Sequence, residues 1–312
     1  MQVRSNGLHL EVERFGPETG EPILLVMGLG GQLTLWPIEL VEELVSRGYH
    51  VVRFDNRDVG LSAKFDHMGT PSIIRLMIAD ALRIRPRAPY LLDDMAKDAV
   101  GVLDALGIKK AHIVGVSMGG MISQLIAAHH GERVLSFTSI MSTTGHRTLP
   151  GPSKAARKAL LAPPPKDPSD MAAIRQRMMD TVSVIGSPAY PMDETERQDL
   201  VNSQLDRDYH PTGLVRQIAA IVASGDRREA LKKVTAPTVV LHGEDDPLVP
   251  IEGGRDTALH IRGAELVTVP GMGHDMPRAL VPLIADTIEK ATVLGRAASA
   301  EAANRAAIQA AE

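Results

Sequence analysis

The sequence predicts an α/β fold: a mostly parallel sheet covered by helices on both faces, with a helical cap inserted between two of its strands. Three observations carry this expectation. Short β-rich apolar runs alternate with segments of helical spacing as far as Met141. The alternation then stops, and "TLPGPSKAARKALLAPPPKDPSD" is rich in proline and lysine. It resumes at "APTVVLHG" (Ala236–Gly243) and continues with "AELVTVPG" (Ala264–Gly271).

Taken in order, "PILLVMG" (Pro22–Gly28) has the continuous apolar character of a buried strand and ends at a glycine loop. "PIELVEELVSRG" (Pro37–Gly48) is a helix with proline in its first turn and glycine after its end. "YHVVRFD" (Tyr49–Asp55) is the next strand, and "LLDDMAKDAVGVLDALG" (Leu91–Gly107) is a helix closed by another glycine. Asp94 and Asp98 are expected on its exposed face. Strand "AHIVGV" (Ala111–Val116), helix "GGMISQLIAAHH" (Gly119–His130) and strand "RVLSFTSIM" (Arg133–Met141) follow. Residues 145–233 hold amphipathic helices without a clear strand and form the expected cap. Residues 1–144 and 234–294 form the core, closed by a helix from about Pro277. The alanine-rich tail, 295–312, is expected as a frayed helix or a disordered segment.

Composition narrows the function classes. The chain has 312 residues, 44% hydrophobic and 23% charged, enough for a buried core under a polar surface. Its net charge of −4 comes from an even mix of signs, which draws it to neither nucleic acid nor an anionic membrane. The absence of cysteine removes disulfide frameworks, cysteine nucleophiles and thiolate zinc sites. No stretch has the apolar length of a signal core or a membrane helix, so a cytoplasmic protein is expected.

The chemistry centres on Gly115-Val116-Ser117-Met118-Gly119, a G-x-S-x-G pattern. As a bare string it is weak, and a plain tight turn would account for it. Its context, a strand before and a helix after, is what a nucleophile elbow requires. A serine hydroxyl needs a base, and the base needs an orienting acid; on a fold with a nucleophile elbow of this kind the chain order should be serine, acid, histidine. His274 lies in "VPGMGHDMP", directly after the last expected strand, where catalytic groups of parallel sheets gather. In "HGEDDPLVP", Asp246 precedes a proline in a turn and is the preferred acid, with Asp245 as the alternative and Glu244 beside them. His242, at the end of the same strand, is expected in a structural hydrogen-bonding place, and His129 and His130 at a helix C-terminus. Oxyanion donors are expected from the backbone N–H of Met118 and of Leu29, the latter in the loop Met27-Gly28-Leu29-Gly30-Gly31. A merely flexible glycine loop is the alternative there. No phosphate-cradling pattern follows this strand.

Together these segments resemble the α/β-hydrolase fold, with its mostly parallel sheet of the eight-stranded type. "VMGLGGQLTLWPIELVEELVSRGYHVVRFDNRDVGLS" is similar to aclacinomycin methylesterase-like carboxylesterases in its Met-Gly oxyanion loop, tryptophan-proline and Arg-Asp-x-Gly-x-Ser loop. The resemblance implies Ser117 as nucleophile, Asp246 as acid, His274 as base and Leu29 with Met118 as oxyanion donors. It also implies a structural role for the loop Asn56–Ser62 and a small-molecule ester substrate. Many relatives have His-Gly where this chain has Met27-Gly28, a departure that bears on substrate more than on mechanism. No metal or organic cofactor is implied, and monomer and homodimer stay equally open.

Met27, Met118, Met121, Met141, Met272 and Met276, with Gly28, lie in or beside the expected catalytic loops. Methionine adapts to irregular apolar space, which suggests a pliable pocket for hydrophobic esters; packing of the sheet ends is the alternative. The same triad serves cofactor-free perhydrolases, carbon–carbon hydrolases, acyltransferases and lactonases, and a non-catalytic binding protein could share the fold. Serine at position 117 argues against dehalogenases and epoxide hydrolases, which place aspartate there.

Overall fold

In the computed structural model, residues 1–82, 84–163, 165–167 and 169–311 are described. Strands β1 (Gln2–Ser5) and β2 (Leu8–Phe15) form a hairpin on Asn6 and Gly7, both at positive φ. An Asn-Gly pair favours that two-residue turn because its twist matches the flanking strands. Then come β3 (Glu21–Val26), α1 (Ile38–Ser46), β4 (Tyr49–Phe54), α2 (Ile73–Ala81), α3 (Leu92–Ala105), β5 (Ala111–Val116), α4 (Met118–His129) and β6 (Val134–Ile140). Between β6 and the next strand lie α5 (Lys154–Leu160), α6 (Met171–Ile185), α7 (Glu194–Arg207), α8 (Pro211–Ser224) and the short α9 (Arg228–Leu231). The chain closes with β7 (Thr238–Gly243), α10 (Glu252–His260), β8 (Glu265–Val269) and α11 (Val281–Ala311).

The eight strands form one sheet in the order β1-β2-β4-β3-β5-β6-β7-β8. Strand β2 runs antiparallel to both neighbours, and all pairs from β4 to β8 are parallel. Both faces are covered, which explains the continuous apolar runs of β4, β5 and β7. Along β3 the side chains divide by period two. Leu24 and Val26 pack with Leu92, Met95 and Ile122 of α3 and α4, while Ile23 and Leu25 pack with Leu40, Leu44 and Ile284 of α1 and α11.

Several elements depart from the sequence reading. The hairpin β1–β2 and helix α2 were not anticipated. Of the two alternatives for the alanine-rich segment, helix is the one observed, and it continues α11 to Ala311. Asp98 is not on an exposed face: it is buried and holds Arg57 through Nε–Oδ2 at 2.6 Å and Nη2–Oδ1 at 2.7 Å. The carboxylate tolerates burial because both its oxygens accept from one guanidinium. Asp94 instead caps its helix, accepting from the Leu91 N–H at 2.9 Å.

Helix α8 and the end of α7 sit on the loop after β4. Arg216 is fully buried and pairs with Asp58 through two 2.8 Å bonds, Nε to Oδ2 and Nη2 to Oδ1. Arg207 donates to Asp55 Oδ2 at 2.6 Å. The loop Asn56–Ser62 is thus tied on one side to α3, through Arg57, and on the other to α8.

Candidate active site

Ser117 occupies the junction between β5 and α4 with φ 55° and ψ −119°, a backbone conformation that costs energy in any residue with a Cβ. The surroundings enforce it. Its N–H donates to the Ile140 carbonyl at 2.9 Å, and its own carbonyl accepts from the Ser142 hydroxyl at 2.7 Å. Gly119 permits the sharp turn, since a Cβ there would collide with the Val26 carbonyl oxygen.

Three strand ends converge on this point. Asp246 follows β7, and its Oδ1 accepts from the N–H groups of Leu248 and Val249, both at 2.8 Å. Its Oδ2 lies 2.7 Å from His274 Nδ1. His274 follows β8, and its Nε2 lies 2.9 Å from Ser117 Oγ. The Asp246 side chain is fully buried and that of His274 is 7% exposed, so a charge interaction between them is poorly screened by water. Asp245 turns elsewhere and accepts from the Gly271 N–H at 2.8 Å, while Glu244 accepts from the Thr268 hydroxyl. Of the three acids, Asp246 is the one brought to His274.

The other histidines are placed as structural groups. His242 is buried, donates from Nε2 to the Val249 carbonyl at 2.8 Å, and burial lowers its pKa so that it stays neutral. His129 pairs with Asp93 at 3.1 Å, and His130 follows the last residue of α4.

The loop after β3 lies against Ser117. A Cβ on Gly28 would stand 3.1 Å from Ser117 Cβ, so only glycine allows this approach without displacement. Asn56 donates to the Met27 carbonyl at 2.8 Å, and the Gly30 N–H donates to Gln217 Oε1 at 2.8 Å. Gln217 in turn donates to the Arg57 carbonyl at 2.8 Å. Leu29 lies between these anchored neighbours. Met118 is the first residue of α4, so its N–H has no acceptor within the helix.

Above the site lies a cavity of about 1920 Å³, walled by the strand ends and the helices between β6 and β7. Met27, Met118, Met121, Met141 and Met276 line it, joined by Met178 and Met192. Met272 is not on the wall: it is fully buried in the core, and its carbonyl accepts from the Asp245 N–H. It packs beneath the histidine loop rather than facing substrate. Among the described residues, no group of three or more His, Cys, Asp or Glu could hold a metal ion.

Sequence reasoning missed the residues through which the helices above the cavity hold the site. Besides Arg216 and Gln217, the segment after α6 grips the histidine loop. The His274 N–H donates to the Ile185 carbonyl at 2.7 Å, the Gly273 N–H to Ser187 Oγ at 2.8 Å, and Ser187 Oγ bonds Asp275 Oδ1. These partners are far apart in the chain and carry no local pattern.

The model of the alpha/beta hydrolase fold family matches residues 21–277, most of the chain and every element that bears the site. The chain belongs to that family. This hydrolase is 29% identical over 302 residues to a rhodomycin D methylesterase of Streptomyces peucetius, covering 89% of this chain and 93% of the relative. It is 28% identical over 270 residues to a putative carbamate hydrolase of Variovorax paradoxus, covering 86% and 89%. Among solved structures, an esterase from a Rhodococcus species superposes with a TM-score of 0.71 at 20% identity, covering 93% of this chain and 98% of the other. That likeness is one of fold.

Proposed function

We propose that this hydrolase is a serine carboxylesterase that cleaves hydrophobic short- to medium-chain esters through an acyl-enzyme. The observation that carries the reading is the hydrogen-bonded chain from Asp246 through His274 to Ser117 on the floor of a methionine-lined cavity. The similarity to a methylesterase over most of both chains supports the ester class.

In this reading Ser117 Oγ attacks the ester carbonyl carbon while His274 Nε2 takes its proton. Asp246 accepts from Nδ1, fixes the tautomer that leaves Nε2 free to act as base, and stabilises the imidazolium. The N–H groups of Leu29 and Met118 donate to the oxyanion as the tetrahedral intermediate forms. His274 then returns the proton to the departing alkoxide oxygen, and the alcohol leaves. Water, deprotonated by the same imidazole, attacks the acyl-serine and releases the acid. The apolar wall receives the acyl or alcohol part, where methionine adapts to varied shapes.

The test is hydrolysis of p-nitrophenyl esters of increasing acyl length, with fluorophosphonate labelling of the serine. Ser117→Ala should abolish turnover and labelling while circular dichroism stays unchanged. Full activity in that variant would overturn the assignment.

A further inference from the structure

Helix α2 carries apolar residues on more than one side. Leu76 is buried and Ile73 lies on the cavity wall, which accounts for one side. On the other, Ile74 is 70% exposed, and Met77, Ile78 and Leu82 are each more than half exposed. The Leu82 N–H donates to the Ile78 carbonyl at 2.9 Å, so the helical path carries Leu82 over Ile78. Positions 74, 77, 78 and 82 therefore form one stripe along the helix. Single exposed apolar residues are ordinary, but a contiguous stripe marks a surface that something covers.

Charge selects the occupant. Residues 73–87 carry four arginines and a single aspartate, Asp80, within a chain of net charge −4. Arg75, Arg85 and Arg87 are exposed around the stripe, and Arg85 Nε donates to the Ala223 carbonyl of α8 at 2.6 Å. A second copy of the chain across a two-fold axis would set this basic segment against itself, which disfavours a homodimer here. An apolar stripe flanked by arginines matches a layer of acyl chains beneath anionic headgroups.

We propose that α2, with Leu82, Arg85 and Arg87 beyond it, forms a docking face for an anionic lipid surface. The face adjoins the cavity through Ile73, so a hydrophobic ester held in lipid meets the cavity from this side. Docking does not depend on the esterase reading and is measured without it.

The experiment is co-sedimentation of the full chain with vesicles of phosphatidylcholine alone or mixed equally with phosphatidylglycerol. Binding should be about a hundredfold tighter to the mixed vesicles, from three exposed arginines near the surface, and should weaken in high salt. The double variant Ile74→Ser, Ile78→Ser should lose binding while hydrolysis of water-dissolved p-nitrophenyl acetate is unchanged. Arg75→Gln with Arg87→Gln should bring mixed vesicles close to the phosphatidylcholine level. Ser117→Ala should bind like the parent, which separates this outcome from any failure of the esterase reading. Equal binding of the parent to both vesicle types, or none to either, overturns the proposal without recourse to a variant. So does a dimer in sedimentation velocity that the Ile74, Ile78 variant dissociates.

Discussion

Arg216→Met tests how firmly the helices above the cavity are locked to the core. The wild-type guanidinium is fully buried, bonds both oxygens of Asp58 at 2.8 Å, and reaches Asp66 at 2.9 Å. Burial alone would raise the Asp58 pKa, but Arg216, the Phe65 N–H and the Tyr90 hydroxyl outweigh it and hold the carboxyl below the usual range. Methionine keeps the apolar stem and strands the Asp58 charge. Breaking a buried pair in this way costs about 3–5 kcal/mol. The lower end applies here, because Phe65 N–H and Tyr90 still donate to Asp58, at 2.8 and 2.7 Å. Urea unfolding at neutral pH should therefore show a loss of about 3 kcal/mol. A depressed carboxyl contributes stability that is present above the unfolded pKa of about 3.9 and is lost as pH falls through the folded value. The deficit of the variant should accordingly shrink in acid. Adding Asp58→Asn should restore roughly half of the loss, because it removes the stranded charge and leaves Phe65 an acceptor. A loss below about 1 kcal/mol, within the range of exposed pairs, would refute the reasoning.

Three further substitutions bear on the site and its loop. Asp246→Asn should lower kcat about 10⁴-fold by favouring the wrong imidazole tautomer, whereas Asp245→Asn should cost only a few-fold; steady-state kinetics of both variants decide, and equal losses would count against Asp246. Burial pushes the Asp275 carboxyl up, with hydrogen bonds to Ser187 opposing it, so its contribution is present below the unfolded pKa and is lost as pH rises through the folded value. Asp275→Asn should thus gain stability relative to the parent as pH rises from about 4 towards 8, read from urea midpoints, and a pH-independent difference would contradict this.

What could be read in the chain follows physical range. The parallel strands were legible because burial on both faces leaves continuous apolar runs. Ser117, Asp246 and His274 could be singled out because each lies in a short loop after such a run. The hairpin β1–β2 has a local signal, Asn6-Gly7 between two short alternating runs. Helix α2 has an apolar stripe of helical spacing, and whole-chain net charge averaged out the arginines around it. Asp98 looked exposed on a helix of charged spacing because its partner, Arg57, is 41 residues away. Gln217 and Gly30 are 187 residues apart, and Ser187 and Asp275 are 88 apart. No local pattern marks one member of such a pair, so these contacts emerge only with the fold.

Those long-range contacts bear on how the cavity works. The helices between β6 and β7 are fastened on two sides of Ser117: α8 to the loop after β3 and the Asp58 loop, and the end of α6 with the segment after it to the histidine loop. Lifting them as a unit breaks the Arg216–Asp58 pair and the bonds from Gly30 to Gln217, His274 to Ile185 and Gly273 to Ser187. With about 1 kcal/mol net for each of the three neutral bonds, that motion costs roughly 3 kcal/mol before the charged pair, which water would solvate on both sides once parted, or any apolar contact is counted. A state so raised is populated at below about one part in 10². The same motion would pull His274 and the loop after β3 out of register. These helices therefore act as a wall that holds the loops around Ser117 in place. In the proposed function, adaptation to different esters falls to side chains that line the cavity, where the flexible methionines Met178 on these helices and Met121, Met141 and Met276 on the core supply it without moving the bonds that fasten the helices.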